Sequence, residues 1–195
     1  MGAGDERAIW YRELGTTSEG LRLAEAWEGV GHPEGAYVED EPDDAELVWR
    51  TSESPHGKLQ LGIPFERVPD APALWYVVVD EPRARPAACM IAAFSGGELP
   101  EGTIIDPHTF AQLGIPADAQ LGDVRWYRDG IVNDLHVVEK YRRRDVATCL
   151  LCAAGAWHQA QRWPGYLHAS SGRRSPLVRR FLANFPLPGR IPPSL

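Results

Sequence analysis

Residues 131–151 read IVNDLHVVEKYRRRDVATCLL, and their pattern decides the fold. It predicts a strand over 131–138, then a short basic turn, then a helix over 146–162 that is apolar on one side. Asp129-Gly130 precedes this stretch and predicts a hairpin with a strand over 124–128. Strands that alternate with a helix in this order predict a mixed α/β or α+β sheet.

The remaining elements are predicted to join this unit in a single domain over 1–195. Further strands are expected at 47–50, 58–63, 73–80, 87–95 and 166–170, and helices at 5–14, 18–28 and 175–184. Residues 1–70 form an acidic N-terminal part with an exposed loop over 31–46. The glycine- and proline-rich residues 96–123 are predicted to be an insertion.

Composition excludes several classes of protein. The chain has 195 residues, of which 44% are hydrophobic and 24% charged, so it is long and apolar enough to bury a core. No apolar run approaches the ~18 residues that span a bilayer, and no secretory signal, a basic region followed by an apolar one, is visible in the first residues. Three cysteines in apolar segments favour a reducing compartment. We therefore expect a cytoplasmic protein with no membrane partner.

Charge is divided unevenly along the chain. Residues 1–123 hold 8 Lys and Arg against 23 Asp and Glu, whereas residues 124–195 hold 12 against 4. This asymmetry predicts a polyanionic ligand on the C-terminal half and a cationic ligand near the N-terminal half. Two solvated faces that differ by chance are the alternative.

The basic turn is the strongest candidate binding site. A strand that enters a helix through a short turn directs the unpaired amides of the helix N-terminus at one point, which suits an anion. Arg142, Arg143 and Arg144 add full charges there. The turn is therefore predicted to bind a diphosphate.

Here the sequence resembles the GCN5-related N-acetyltransferase (GNAT) family, in its acyl-CoA motif. The matching residues are Leu135, Val137, Tyr141, Arg142, Ala147, Leu150 and Leu151. The resemblance implies a GNAT-like fold, a mixed central sheet with helices on both faces. It also implies acetyl-CoA as co-substrate, with its pyrophosphate on the turn and its pantetheine arm along the strand. The implied binding residues are Leu135, Val137, Val138, Arg142, Arg143, Arg144, Asp145, Val146, Ala147 and Thr148.

Asp145 stands where the GNAT motif has its first glycine. A carboxylate about 5 Å from a phosphate charge would cost roughly 3 kcal/mol at an effective dielectric of ~20. Either the three neighbouring arginines offset this cost, or Asp145 caps the helix and accepts a hydrogen bond from the Thr148 amide, which is the alternative we favour. This departure from the GNAT motif therefore predicts that the chain binds acyl-CoA somewhat more weakly than members of the family do.

The general base is the second departure. The family's glutamate falls on Ile131, which cannot take a proton, and Asn133 on the same face can only hydrogen-bond. Asp134 and His136 share that face only if a β-bulge intervenes, in which case His136 is the better base because imidazole titrates near neutral pH. A structural histidine, a water, or a carboxylate of the acidic N-terminal part are the alternatives.

The general acid is the third departure. The family's tyrosine falls on Phe181, which lacks the hydroxyl group. Ser170, Ser171 or Tyr166 are the available replacements, and Ser171 joins Asn133 and His136 as a candidate catalytic residue.

No metal site is expected. The six histidines show no ligand spacing, and Cys149-x-x-Cys152 lies within an apolar helix, where core packing explains it.

The sequence therefore predicts an acetyltransferase that moves an acetyl group from acetyl-CoA to a primary amine, small molecule or peptide, attracted by its positive charge. One alternative is a CoA-binding protein on the same fold that has lost its chemistry. Another is a toxin that acetylates aminoacyl-tRNA, whose RNA binding would fall steeply with salt. A homodimer is compatible with the sequence.

Overall fold

The computed structural model describes residues 7–41 and 43–169, which form an α+β fold of one large mixed sheet and two α-helices. The strands are β1 Ala8–Thr16, β2 Arg22–Gly29, β3 Glu46–Glu53, β4 Leu59–Gly62, β5 Leu74–Glu81, β6 Ala88–Ser95, β7 Thr103–Ile105, β8 Gly122–Tyr127, β9 Ile131–Val137 and β10 His168–Ala169. The helices are α1 Pro107–Leu113 and α2 Val146–Ala160. Within these residues, no helix combines the length and apolar character needed to cross a bilayer.

The sheet has the order β1-β2-β3-β4-β7-β5-β6-β8-β9-β10. The β5–β7 and β9–β10 pairs are parallel, and the other neighbouring pairs are antiparallel. The predicted β8–β9 hairpin and the helix that begins at Val146 are confirmed. The strands predicted in the regions of β3, β4, β5, β6 and β10 are also confirmed, and β3 pairs with β4 and β5 with β6. The predicted insertion contributes β7, which pairs between β4 and β5, and α1.

The prediction of helices over 5–14 and 18–28 is wrong, because both segments are strands. The first half of β1 is buried on both faces: Ile9 and Tyr11 join the main core, while Trp10 joins a small cluster with Trp27. A strand buried on both faces lacks the alternation of apolar and polar residues that identifies a strand in sequence.

The burial of Glu25 is a second reason why the predicted helix over 18–28 is wrong. A helix over 18–28 would turn this carboxylate to solvent, but in β2 its residue is only 2% exposed. Its oxygens accept hydrogen bonds from the Arg50 guanidinium and the Trp27 indole, 2.9 Å away. Buried carboxylates are retained when they are paired in this way.

The main core lies between α2 and one face of the sheet. Leu150, Ala153 and Ala154 of α2 are fully buried against residues of β3, β6 and β8. A second cluster forms on the alternate residues of β5 and β6, where Trp75 and Phe94 stack and Phe110 of α1 packs against them.

The outer edge of β1 is covered by the connection between β2 and β3. The Tyr11 amide donates to the Ala36 carbonyl, and the Gly35 and Val38 amides donate to the Ile9 and Tyr11 carbonyls, at 2.7–2.9 Å. These bonds satisfy backbone groups that an edge strand would otherwise leave open. They also hold the side chains of residues 34–37 beside β1.

Candidate functional site

The basic turn connects the end of β9 with the start of α2. The first α-helical hydrogen bond runs from the Cys149 amide to the Asp145 carbonyl at 2.9 Å. The amides of residues 146–148 precede that bond and have no acceptor within the helix, and no side chain caps them. Arg143 and Arg144 are exposed beside these amides. The turn therefore combines unpaired N–H groups with positive side chains.

The backbone of the turn is left-handed at two residues other than glycine. Arg143 has φ of 62° and Asp145 has φ of 50°. Such residues are uncommon, and they concentrate at functional sites because the surrounding structure must hold them there. A left-handed residue followed by a helical one also turns successive amides to the same side, which makes a concave anion site.

Asp145 is the N-cap residue, but the prediction that its carboxylate accepts from Thr148 is wrong. Its left-handed backbone directs the side chain elsewhere, and Oδ2 instead accepts a hydrogen bond from the Asp70 amide at 3.2 Å. The carboxylate thus ties the turn to the connection before β5. Arg142 is also anchored, because its Nε donates to the Val137 carbonyl at 3.0 Å.

β9 contains the β-bulge on which the role of His136 depends. Arg125 pairs with Asp134 but Trp126 pairs with Val132, so Asn133 is the extra residue. Val132 and Leu135 both pack into the main core, which places Asn133, Asp134 and His136 on the face away from α2. The bulge therefore places His136 on the face of β9 away from α2.

His136 faces Asp123 across the β8–β9 pair. The two residues are register partners, and Nδ1 of His136 lies 3.7 Å from Oδ2 of Asp123. Burial raises the pKa of Asp123, although the neighbouring imidazole opposes this. The Asn133 Oδ1 accepts a hydrogen bond from the Tyr127 hydroxyl at 2.9 Å, which fixes the amide.

The residues assigned to acyl-CoA form one continuous strand, turn and helix start. Leu135 and Val137 turn their side chains into the core and Val146 is fully buried, so these residues offer a ligand only their backbone. Val138, Ala147 and Thr148 complete this stretch of chain. The catalytic candidate Ser171 lies outside the described residues, as do Ser170, Phe181 and the helix predicted at 175–184.

β10 lies parallel to the first part of β9, with His168 opposite Ile131 and Ala169 opposite Val132. The α2–β10 connection passes close to Gly130. This glycine has φ of 94°, and a Cβ atom there would clash with the Tyr166 carbonyl oxygen. A side chain at residue 130 would therefore displace Tyr166.

The cysteines are buried and free, in agreement with core packing. Burial raises the pKa of Cys149, and that of Cys152 to about 12. Protonated thiols of this kind are poor nucleophiles and poor metal ligands. Across residues 7–41 and 43–169, no three His, Cys, Asp or Glu side chains are placed to hold a metal ion.

Comparisons of the chain with protein-family models, curated proteins and solved structures find no match. Function therefore has to be inferred from the residues and geometry of the chain itself.

A cleft that the sequence did not predict lies at the other end of α2. It has a volume of about 650 Å³ and is lined by Tyr11, Glu13, Glu34, Gly35, Tyr37, Gln159, Arg162, Trp163, Gly165 and Tyr166. These residues come from three segments distant in sequence, so no local motif marks them. The one sequence feature they share is a concentration of aromatic residues beside glycines.

Proposed function

We propose that this protein is an acetyltransferase that moves an acetyl group from acetyl-CoA to a primary amine, on a GNAT-like fold. The observation that carries the proposal is the left-handed backbone at Asp145, within a basic strand–turn–helix. The GNAT motif has glycine at this position, and glycine is the residue that adopts this backbone at least cost. A sequence resemblance and an independent backbone angle thus agree on the same residue.

Acetyl-CoA is proposed to bind along β9 and the basic turn. Its pyrophosphate would accept hydrogen bonds from the amides of residues 146–148 and pair with Arg144. Its pantetheine amides would pair with the backbone near Val137. The Asp145 carboxylate accepts its hydrogen bond from the Asp70 amide and not from the amides of residues 146–148. These three amides are therefore left for the pyrophosphate.

His136 is the proposed general base. The amine nitrogen attacks the thioester carbonyl carbon, the C–S bond breaks, and the thiolate of CoA leaves with a proton from solvent. The imidazole takes the proton that the attacking amine loses. Asp123 Oδ2 lies 3.7 Å from Nδ1 of His136, a position from which it can orient the imidazole. Most of the rate enhancement is assigned to positioning of the two substrates.

The position of the two helices supports the GNAT-like arrangement. α2 packs on the main core with Tyr76 of β5, whereas Phe110 of α1 packs with Trp75, the neighbouring residue of the same strand. Successive residues of a strand point to opposite faces. We therefore propose that α1 and α2 cover opposite faces of the sheet, as in the GNAT fold.

The acidic N-terminal part is proposed to attract the amine. Glu39, Asp40 and Glu41 are exposed in the connection between β2 and β3, and residues 43 and 44 add two more carboxylates. Exposed carboxylates raise the local concentration of a cation without binding it tightly. This favours a polyamine or another cationic amine as acceptor.

Calorimetric titration with acetyl-CoA tests the donor site. Arg144→Ala removes one exposed positive charge from the turn, and Arg83→Ala removes one from the exposed β5–β6 turn as a matched control. We expect Arg144→Ala to weaken binding about tenfold, since a charge-assisted phosphate contact contributes about 1.5 kcal/mol, and Arg83→Ala to leave it unchanged. Equal effects of the two variants, or no binding at millimolar acetyl-CoA, would refute the site.

Amine-dependent release of the free CoA thiol then tests the chemistry. We expect release with cationic amines to be lost in His136→Ala and retained in His56→Ala, a substitution in the exposed β3–β4 turn. Tight binding of acetyl-CoA without thiol release from any amine would instead favour the CoA-binding alternative.

A further inference from the structure

The cleft at the C-terminal end of α2 has no part in the proposed acyl transfer. It lies between β1, the β2–β3 connection and the α2–β10 connection. Asn133 and His136 lie on the face of β9 away from α2, whereas Tyr11 packs on the α2 side with Trp49. The cleft therefore needs an explanation of its own.

Its walls are aromatic. Tyr11 is buried and Tyr37 is 55% exposed, and their rings meet with centroids 5.6 Å apart and a tilt of 54°. Tyr166 approaches from the α2–β10 connection, close to Gly35. Trp163 adds a fourth ring, which already has the Arg128 guanidinium 4.8 Å from its centroid. Tyrosine and tryptophan rings attract cations through the negative charge of their faces.

One carboxylate of the cleft is not neutralised by a neighbouring cation. Glu34 Oε2 accepts a hydrogen bond from the Ile9 amide at 3.1 Å. Of the ion pairs that the described part of the chain forms, none includes Glu34. The other two charged residues of the lining, Glu13 and Arg162, pair with each other at 3.2 Å. Above the raised pKa of about 7, where Glu34 is ionised, the surplus charge of the cleft is therefore that of Glu34.

We propose that this cleft is a binding site for an organic cation with an alkylated ammonium group, held by the Glu34 carboxylate and the Tyr11, Tyr37 and Tyr166 rings. Alkyl groups on the nitrogen match the apolar rings, and the positive charge matches the carboxylate and the ring faces. A volume of about 650 Å³ accommodates a small molecule.

Two probes that differ only in charge test the proposal. Choline carries a trimethylammonium group, and 3,3-dimethylbutan-1-ol has the same shape with carbon in place of nitrogen. Calorimetry on the full chain at pH 8, where Glu34 is ionised, should give millimolar or tighter binding of choline and binding of the alcohol weaker by at least about tenfold. Amide chemical shifts that move on titration should be those of residues 34–37, 163, 165 and 166.

Four variants locate the interaction. Glu34→Gln keeps an oxygen for the Ile9 amide but removes the charge, and should weaken choline binding about tenfold. Glu98→Gln makes the same change in the exposed β6–β7 connection and should have no effect. Tyr37→Ala should weaken choline binding, whereas Tyr37→Phe, which keeps the ring, should not.

Equal affinities for choline and the alcohol would overturn the proposal. So would unchanged choline binding in Glu34→Gln with a native amide spectrum, or chemical-shift changes confined to residues 39–46. Absence of choline binding at concentrations well above the millimolar range would also overturn it.

Discussion

Glu34 makes a specific contribution to the pH dependence of folding. Burial raises the pKa of its carboxyl group from 4.5 to about 7, the Ile9 amide opposes this shift, and the charge of Glu28 adds to it. The raised pKa means that the folded protein binds more protons than the unfolded chain between pH 4.5 and 7. The stabilisation from the protonated carboxyl is therefore complete below pH 4.5 and is lost as pH rises through 7.

The size of this effect follows from the shift. A change in pKa from 4.5 to about 7 corresponds to about 3 kcal/mol in full. Glu34 is only partly buried, so solvent screening reduces the expected contribution to about 1–2 kcal/mol. Glu34→Gln cannot ionise but keeps the acceptor oxygen. Relative to the wild type, this variant should therefore gain about 1–2 kcal/mol of stability between pH 4.5 and pH 8.

Urea denaturation of both proteins at intervals of pH measures this gain, because other titrating groups cancel in the difference. The charged and titratable groups around Glu34 are Tyr11 and Glu13 of β1, Glu28 of β2, Tyr37, Arg162 and Tyr166. Burial raises the pKa of Tyr11 and of Tyr166, so both stay neutral throughout this range. Glu39→Gln serves as the control and should run parallel to the wild type. Parallel curves for Glu34→Gln and the wild type would refute the argument.

Three further predictions concern α2 and its turn. Burial lowers the pKa of His158, whose Nδ1 accepts a hydrogen bond from the Trp126 indole at 3.2 Å. As pH falls below the ordinary histidine pKa of 6.5, the wild type should therefore lose stability relative to His158→Gln. Urea denaturation of the two proteins at several pH values measures this difference. Asp145→Ala should lower the free energy of unfolding by about 2 kcal/mol, because it loses the hydrogen bond to the Asp70 amide and places alanine in a left-handed backbone. Asp145→Gly loses only the hydrogen bond and should cost about 1 kcal/mol less in the same assay. Cys152, with its thiol pKa raised to about 12 by burial, should react with iodoacetamide at pH 8 only after unfolding, as mass spectrometry of the native and denatured chain would show.

The parts of the fold that the sequence predicted are those with strong local patterns. Asp129-Gly130 between two alternating segments specified the β8–β9 hairpin, and the apolar spacing from Val146 specified α2. The N-terminal strands were missed because their apolar residues serve two cores at once and Glu25 is buried. Burial on both faces and a buried ion pair are tertiary effects, which override the local pattern.

The basic turn between β9 and α2 was predictable from the sequence, but its backbone conformation and contacts were not. Arginines before a helix start are visible in the sequence, whereas the left-handed backbone at Asp145 and its contact with Asp70 depend on a segment 75 residues away. The bulge at Asn133 was identified only as a condition for the orientation of His136, because a single inserted residue leaves no trace in residue type. The tyrosine cleft joins segments around residues 11, 34 and 166, and no periodicity connects them.

α2 relates the two proposed sites to each other. Its 15 residues span about 21 Å from Val146 to Ala160. The positive end of its backbone dipole lies at the basic turn, where the C-terminal half supplies arginines for an anion. The negative end lies by the cleft, where the N-terminal half supplies Glu34 for a cation. Each end thus reinforces the charge of the nearby side chains, and the distance between the ends allows either site to fail its test without deciding the other.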